Sequence, residues 1–169
     1  MSARPSPAAA NVHVLRQGAD LLSRLDDAAF RRAIGPQLRH ILDFYTSFLH
    51  GLPGRRIDYD ARERDPLVES SRRIAGLRFA EVIAALETIT LEQAALPVDV
   101  RTEADTLAPG EPEWSTSSVR RELLFLLSHT VHHNALVKEL LRARGHALED
   151  DFGVAPSTLG HRARLACAR

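Results

Sequence analysis

Residues 126–141, LLSHTVHHNALVKELL, place His129, His132 and His133 within five positions of an apolar, helix-forming segment. Neither Gly nor Pro occurs from Val119 to Arg144, and Gly145 then supplies a stop, so the pattern predicts one long helix from about Ser118 to Arg144. At about 100° per residue His129 falls about 40° from His133, and Val119, Leu126, Val137 and Leu140 all fall within about 45° of it. His129 and His133 are therefore expected inside the apolar stripe, one turn apart. His132 points about 100° away, on the flank. A polar ring on a buried face needs a partner. Two histidines at i and i+4 can share one metal ion, because both rings project from one face on successive turns. The alternative is a hydrogen-bonded core histidine beside one that lines an interface.

Helical periodicity continues outward from this segment. In residues 11–25, Val14, Leu15, Leu21, Leu22 and Leu25 form one stripe, with Asn11 as an N-cap. Gly35-Pro36 interrupts the next pattern and opens a second helix, from Pro36 to about His50, whose apolar face is Leu38, Ile41, Leu42, Tyr45, Phe48 and Leu49. After the polar stretch 51–65, Asp65 and Pro66 read as the N-cap and first-turn proline of a third helix that runs to about Thr88. Residues 91–118 lose the helical period. Within them, 96–107 allow a short strand or an extended cover, and 108–118 read as a loop. Four main helices with one long crossover connection imply an all-α, up-and-down four-helix bundle.

Composition limits what such a domain can do. A chain of 169 residues holds one domain with a real core, read here as 11–160, between a loose N-terminal tail (1–10) and a C-terminal tail (161–169). Lys plus Arg and Asp plus Glu are 22 each, so no basic excess drives counterion release, and nucleic acid is disfavoured as a partner. Cys167 is the single cysteine, which excludes a disulfide framework, a Cys-rich zinc site and a CxxC redox pair, and fits a reducing cytoplasm. No segment approaches the roughly 18 apolar residues of a membrane span. No nucleophilic Ser or Cys motif and no phosphate-binding glycine loop is present.

Three protein ligands with an open position are common at catalytic zinc-type sites. His40, in the second helix beside Phe44, is the candidate third ligand: its phase at the edge of the apolar stripe permits an inward position without demanding one. His13 and His50 compete from near helix ends, while His146 and His161 follow the glycine stop and read as surface residues. Glu122 lies seven residues before His129, about 10 Å along the same face. That is too far to share an ion. It can instead form the wall of a cleft, or pair as a buried carboxylate with an arginine such as Arg39.

The stretches IGPQLRHILDFY (34–45) and RELLFLLSHTVHHNAL (121–136) resemble the DinB/YfiT-like superfamily of four-helix-bundle metalloproteins over about residues 11–160. RIDYDARERD (56–65) and FGVAPST (152–158) are similar to an uncharacterised subgroup. The resemblance implies a divalent metal site built from His40, His129 and His133, with zinc, nickel or iron as the ion. It matches His132 to the other histidine of an HH doublet, the one that usually does not ligate, and leaves Glu122, Phe44, Asp43 and His132 as candidates for the surrounding cleft. Where many members carry Arg or Gly-Gln after the doublet, this chain has Asn134, Ala135 and Leu136. The implied activity is thiol-dependent S-transfer or isomerisation of a small-molecule substrate, with a low-molecular-weight thiol as co-substrate. A non-catalytic metal-binding protein of the stress response and a metal-dependent hydrolase are the alternatives. A homodimer, common among relatives, is allowed.

Overall fold

The computed structural model describes residues 6–102 and 114–167. Helix α1 (Ala9–Ser23) starts two residues before the expected position. Asn11 is therefore not its cap: it is buried inside the helix, and its side-chain oxygen accepts a hydrogen bond from the Tyr45 hydroxyl at 2.8 Å. Ala8, expected in a loose tail, is fully buried. Asp26 caps the short α2 (Asp27–Ala29) by accepting the Ala29 N–H at 2.7 Å. A π-helical turn, Phe30–Ile34, then leads directly into α3 (Gly35–Gly51). Gly35-Pro36 thus sits inside a continuous helical run. Pro36 has no N–H to give to the preceding turn, and the turn widens there, with the Gly35 N–H reaching the Phe30 carbonyl.

Strand β1 (Arg56–Asp58) follows in the stretch read as a polar loop. The single third helix expected over 66–88 is two helices, α4 (Pro66–Ser70) and α5 (Arg72–Glu87). Asp65 caps α4 as expected, accepting the Leu67 N–H at 2.9 Å. The break is at Ser71, whose backbone is extended (φ −126°, ψ 108°) and whose hydroxyl accepts the Ile74 N–H, a local bond that competes with helix continuation. A Cβ on Gly35 would overlap the Glu69 carbonyl, so α3 and α4 approach as closely as they do only because position 35 has no side chain.

One turn, α6 (Leu91–Ala94), is closed by a capping box of Thr90 and Gln93. Strand β2 (Pro97–Arg101) lies where an extended segment was expected, and β3 (Ser115–Ser118) lies where a loop was. Residues 103–113 of those two segments fall outside the described residues. β2 pairs in parallel with β1 and antiparallel with β3, giving the sheet order β1-β2-β3. Helix α7 (Val119–Arg142) is capped by Ser118 and ends at Gly145 (φ +83°), where the His146 N–H bonds the Leu141 carbonyl and the Gly145 N–H bonds that of Arg142. Residues 161–167, read as tail, belong to α8 (Pro156–Cys167), which has no buried residue.

The fold is mainly helical, as expected, with a small sheet that helical periodicity did not indicate. α1 and α3 each pack against both α5 and α7. Leu15, Leu38, Ile41, Tyr45, Phe48, Phe79, Leu86 and Leu126 fill the space between them. No helix of the described residues is long and apolar enough to cross a membrane.

Candidate metal centre

His40 projects from α3, and His129 and His133 from successive turns of α7, where these two helices pack together. One ring nitrogen from each lies within 4.8 Å of those of the other two. The Nε2 atoms of His40 and His129 are 3.1 Å apart, and ring centroids are separated by 5.0 Å (His40–His129), 4.6 Å (His40–His133) and 4.5 Å (His129–His133). Two imidazole nitrogens at about 2.1 Å from one ion are roughly 3.0–3.4 Å apart for ligand angles of 90–110°. The observed 3.1 Å separation lies in that span.

Local sequence explains why the rings are at the edge of the core and not at its centre. Leu126, Thr130, Asn134 and Val137 form the buried line of α7, and His129 and His133 flank it, each half-buried. Thr130 is fully partnered in that line and Asn134 partly: the Thr130 hydroxyl donates to the Leu126 carbonyl (2.7 Å) and lies 3.1 Å from the Tyr45 hydroxyl, and Asn134 Nδ2 donates to the Val14 carbonyl (3.2 Å) while its Oδ1 is buried without a partner. A hydrophobicity stripe cannot see such positions. Leu140, assigned to the stripe, is half-buried.

Gln37, one turn before His40 on α3, places its Oε1 2.7 Å from His133 Nδ1. An amide oxygen only accepts, so His133 carries its proton on Nδ1 and keeps the Nε2 lone pair for a ligand role. Burial, then the neighbouring histidines, lowers the His129 pKa from 6.5 to about 3 and the His133 pKa to about 4. Both rings are therefore neutral near pH 7, the form that binds a metal. Three imidazole ligands suit zinc, nickel or iron(II). His129 Nδ1 is buried without a hydrogen-bond partner.

One side of the cleft is aromatic. Phe44 packs on His129 (4.2 Å between centroids) and His40 (4.9 Å), and Tyr59 (5.3 Å) and Phe125 (6.0 Å) pack on Phe44. The Arg62 guanidinium lies over the Phe44 ring at 4.3 Å. Phe44 was the one aromatic expected here; Tyr59, Phe125, Arg62 and Gln37 were not. Gln37 alone had a local signal, a polar side chain one turn from His40.

The other candidates separate. His132 is exposed, its ring edge-on to His133 at 5.2 Å. His13, His50, His146 and His161 are exposed. Glu122 is buried, at 2% exposure, but Arg39 is not its partner. Arg39 is held by Asp43 (2.5 Å) and Glu69 (2.7 Å), and Asp43 is thereby engaged in an ion pair. Glu122 Oε1 accepts the Ser117 hydroxyl (2.5 Å), and Oε2 accepts the Tyr59 hydroxyl (3.0 Å).

No protein-family model matches the chain. FK506-binding protein 5 of Rhizopus delemar is 29% identical over 105 residues, which are 62% of this chain and 27% of that protein, so the chain spans about a quarter of that relative's length. No solved structure matches.

Proposed function

We propose that this chain is a metal-dependent enzyme of the DinB/YfiT-like type, with α1, α3, α5 and α7 as its four-helix bundle and the connection from α5 to α7, which carries β2 and β3, as its long crossover. On this reading it carries out thiol-dependent transfer or isomerisation on a small molecule. The observation that supports it is the meeting of three imidazoles from two helices, one of them aimed by Gln37. His40, His129 and His133 would hold the ion. When bound, a divalent ion there supplies Lewis acidity, which lowers the pKa of a thiol. Gln37 fixes the His133 ring and its tautomer. Phe44, backed by Tyr59 and Phe125, shields one side of the cleft from water, which strengthens electrostatic effects inside it.

The test is elemental analysis of protein purified without chelator or affinity metal, followed by a screen of thiol and electrophile pairs. About one zinc, nickel or iron per chain with thiol-dependent turnover supports the proposal. One ion per chain with no turnover on any pair favours a non-catalytic metal-binding protein, and thiol-independent ester or amide cleavage favours a metal hydrolase. Absence of metal after reconstitution removes all three.

A further inference from the structure

Beside the aromatic side of the histidine cleft is a cavity of about 360 Å³ between the strands and the first turn of α7. Ser115, Thr116 and Ser117 of β3 line one wall, and Arg121, Glu122 and Phe125 of α7 line the other. Phe125 separates it from the histidines: its ring lines the cavity and lies 5.8 Å, centroid to centroid, from that of His129. Cavity and cleft are thus one aromatic ring apart.

The cavity's charges are of both signs. Glu122 receives the neutral hydroxyls of Ser117 and Tyr59, which occupy two of a carboxylate's roughly four lone-pair positions. Its nearest cation is Arg121 at 3.5 Å, a side chain 66% exposed that also lies over Phe125 at 5.7 Å. A ligand bearing only an anion would meet Glu122, and one bearing only a cation would meet Arg121. A ligand with an ammonium and a carboxylate on the same carbon presents each charge to its opposite, and the hydroxyl wall can bond either. The spacing adds a length requirement: Glu122 precedes His129 by seven helical residues, about 10 Å, or roughly three extended residues of chain.

We propose that this cavity binds the amino-acid-type zwitterionic head of a peptide-length co-substrate, with the ammonium toward Glu122 and the carboxylate toward Arg121, while its reacting end reaches the three-histidine centre. The link to that centre rests on the metal-site reading above; the head site itself does not. The probe is S-methylglutathione, which has such a head and spacer but no free thiol, titrated calorimetrically into the full chain both zinc-loaded and chelator-treated. Saturable binding is expected in both forms. It should weaken at least tenfold when the probe's α-amino group is acetylated, and by a similar factor in Arg121→Gln, an exposed substitution that leaves the fold intact. Glu122→Gln should lose the preference for the free ammonium, and its circular dichroism melt checks folding. No saturable binding to wild type, equal binding of the acetylated probe, or an unchanged Arg121→Gln overturns the proposal. Binding of the probe by a chain that takes up no metal upholds the head site and overturns the metal-site reading. Metal uptake without probe binding does the reverse.

Discussion

A rotation of about 100° around the α7 axis separates His132 from His133, and this rotation divides three similar side chains into two roles. On the metal-site reading, His129→Ala and His133→Ala should each lose most of the bound metal after dialysis, because two imidazoles leave an ion under-coordinated. His132→Ala, altering an exposed ring, should keep metal per chain near wild type. Gln37→Leu should lower metal affinity about 10- to 100-fold by freeing the His133 ring, measured by competition with a chelator. Loss of the ion in His132→Ala but not in His133→Ala would show that both assignments are wrong. A second expectation concerns acidity. Folding lowers the pKa of His129 to about 3 and of His133 to about 4, from 6.5. Below 6.5 the unfolded chain then binds more protons than the folded one, so this contribution to stability is complete above about pH 6.5 and is lost as pH falls through the folded values. The thermal midpoint of the metal-free chain should drop between pH 7 and pH 5, and His129→Gln should flatten the drop. A wild-type midpoint independent of pH over that range refutes the depressed pKa values.

One of the expected helix boundaries depends on a neighbour that lies far away in sequence. Gly35-Pro36 has the local signature of a helix start, yet the chain is helical on both sides, and glycine is required because the Glu69 backbone passes where a Cβ would be. Gly35→Ala should therefore destabilise the protein by about 1–3 kcal/mol, the usual cost of overpacking, whereas a mere helix-start glycine would tolerate alanine or gain from it. Urea unfolding decides the sign. The opposite case is the Asp65 cap and the Gly145 stop, which were legible because the bonds concerned are local: Asp65 to Leu67, and Gly145 to Arg142. β1 and β3 were not legible. They have three and four residues, too few for an alternating pattern to stand out, and each pairs with β2 across a long stretch of sequence.

Three helices meet at one buried hydroxyl. Tyr45 of α3 donates to Asn11 of α1 and lies 3.1 Å from the Thr130 hydroxyl of α7, and burial pushes its pKa well up, so it remains a neutral donor. Tyr45→Phe leaves the Asn11 oxygen without this donor and should cost about 1–3 kcal/mol in chemical denaturation. A loss under about 0.5 kcal/mol would mean that the apolar contacts alone hold these helices in register. The sequence by itself determined the helical class, the approximate spans of α1, α3 and α7, the facing of His129 and His133 to one side of α7 and the exclusion of His132 from it. Those features follow from a period of 3.6 residues and from capping bonds within a few positions. Only the tertiary structure decided that His40, and not His13 or His50, meets the pair. It alone also placed Thr130 and Asn134 in the buried line, turned Glu122 from Arg39 to Tyr59 and Ser117, and brought Gln37 to His133. The Gln37–His133 bond joins residues 96 positions apart, and a polar side chain becomes a core or site residue only through the partner it meets across such a distance.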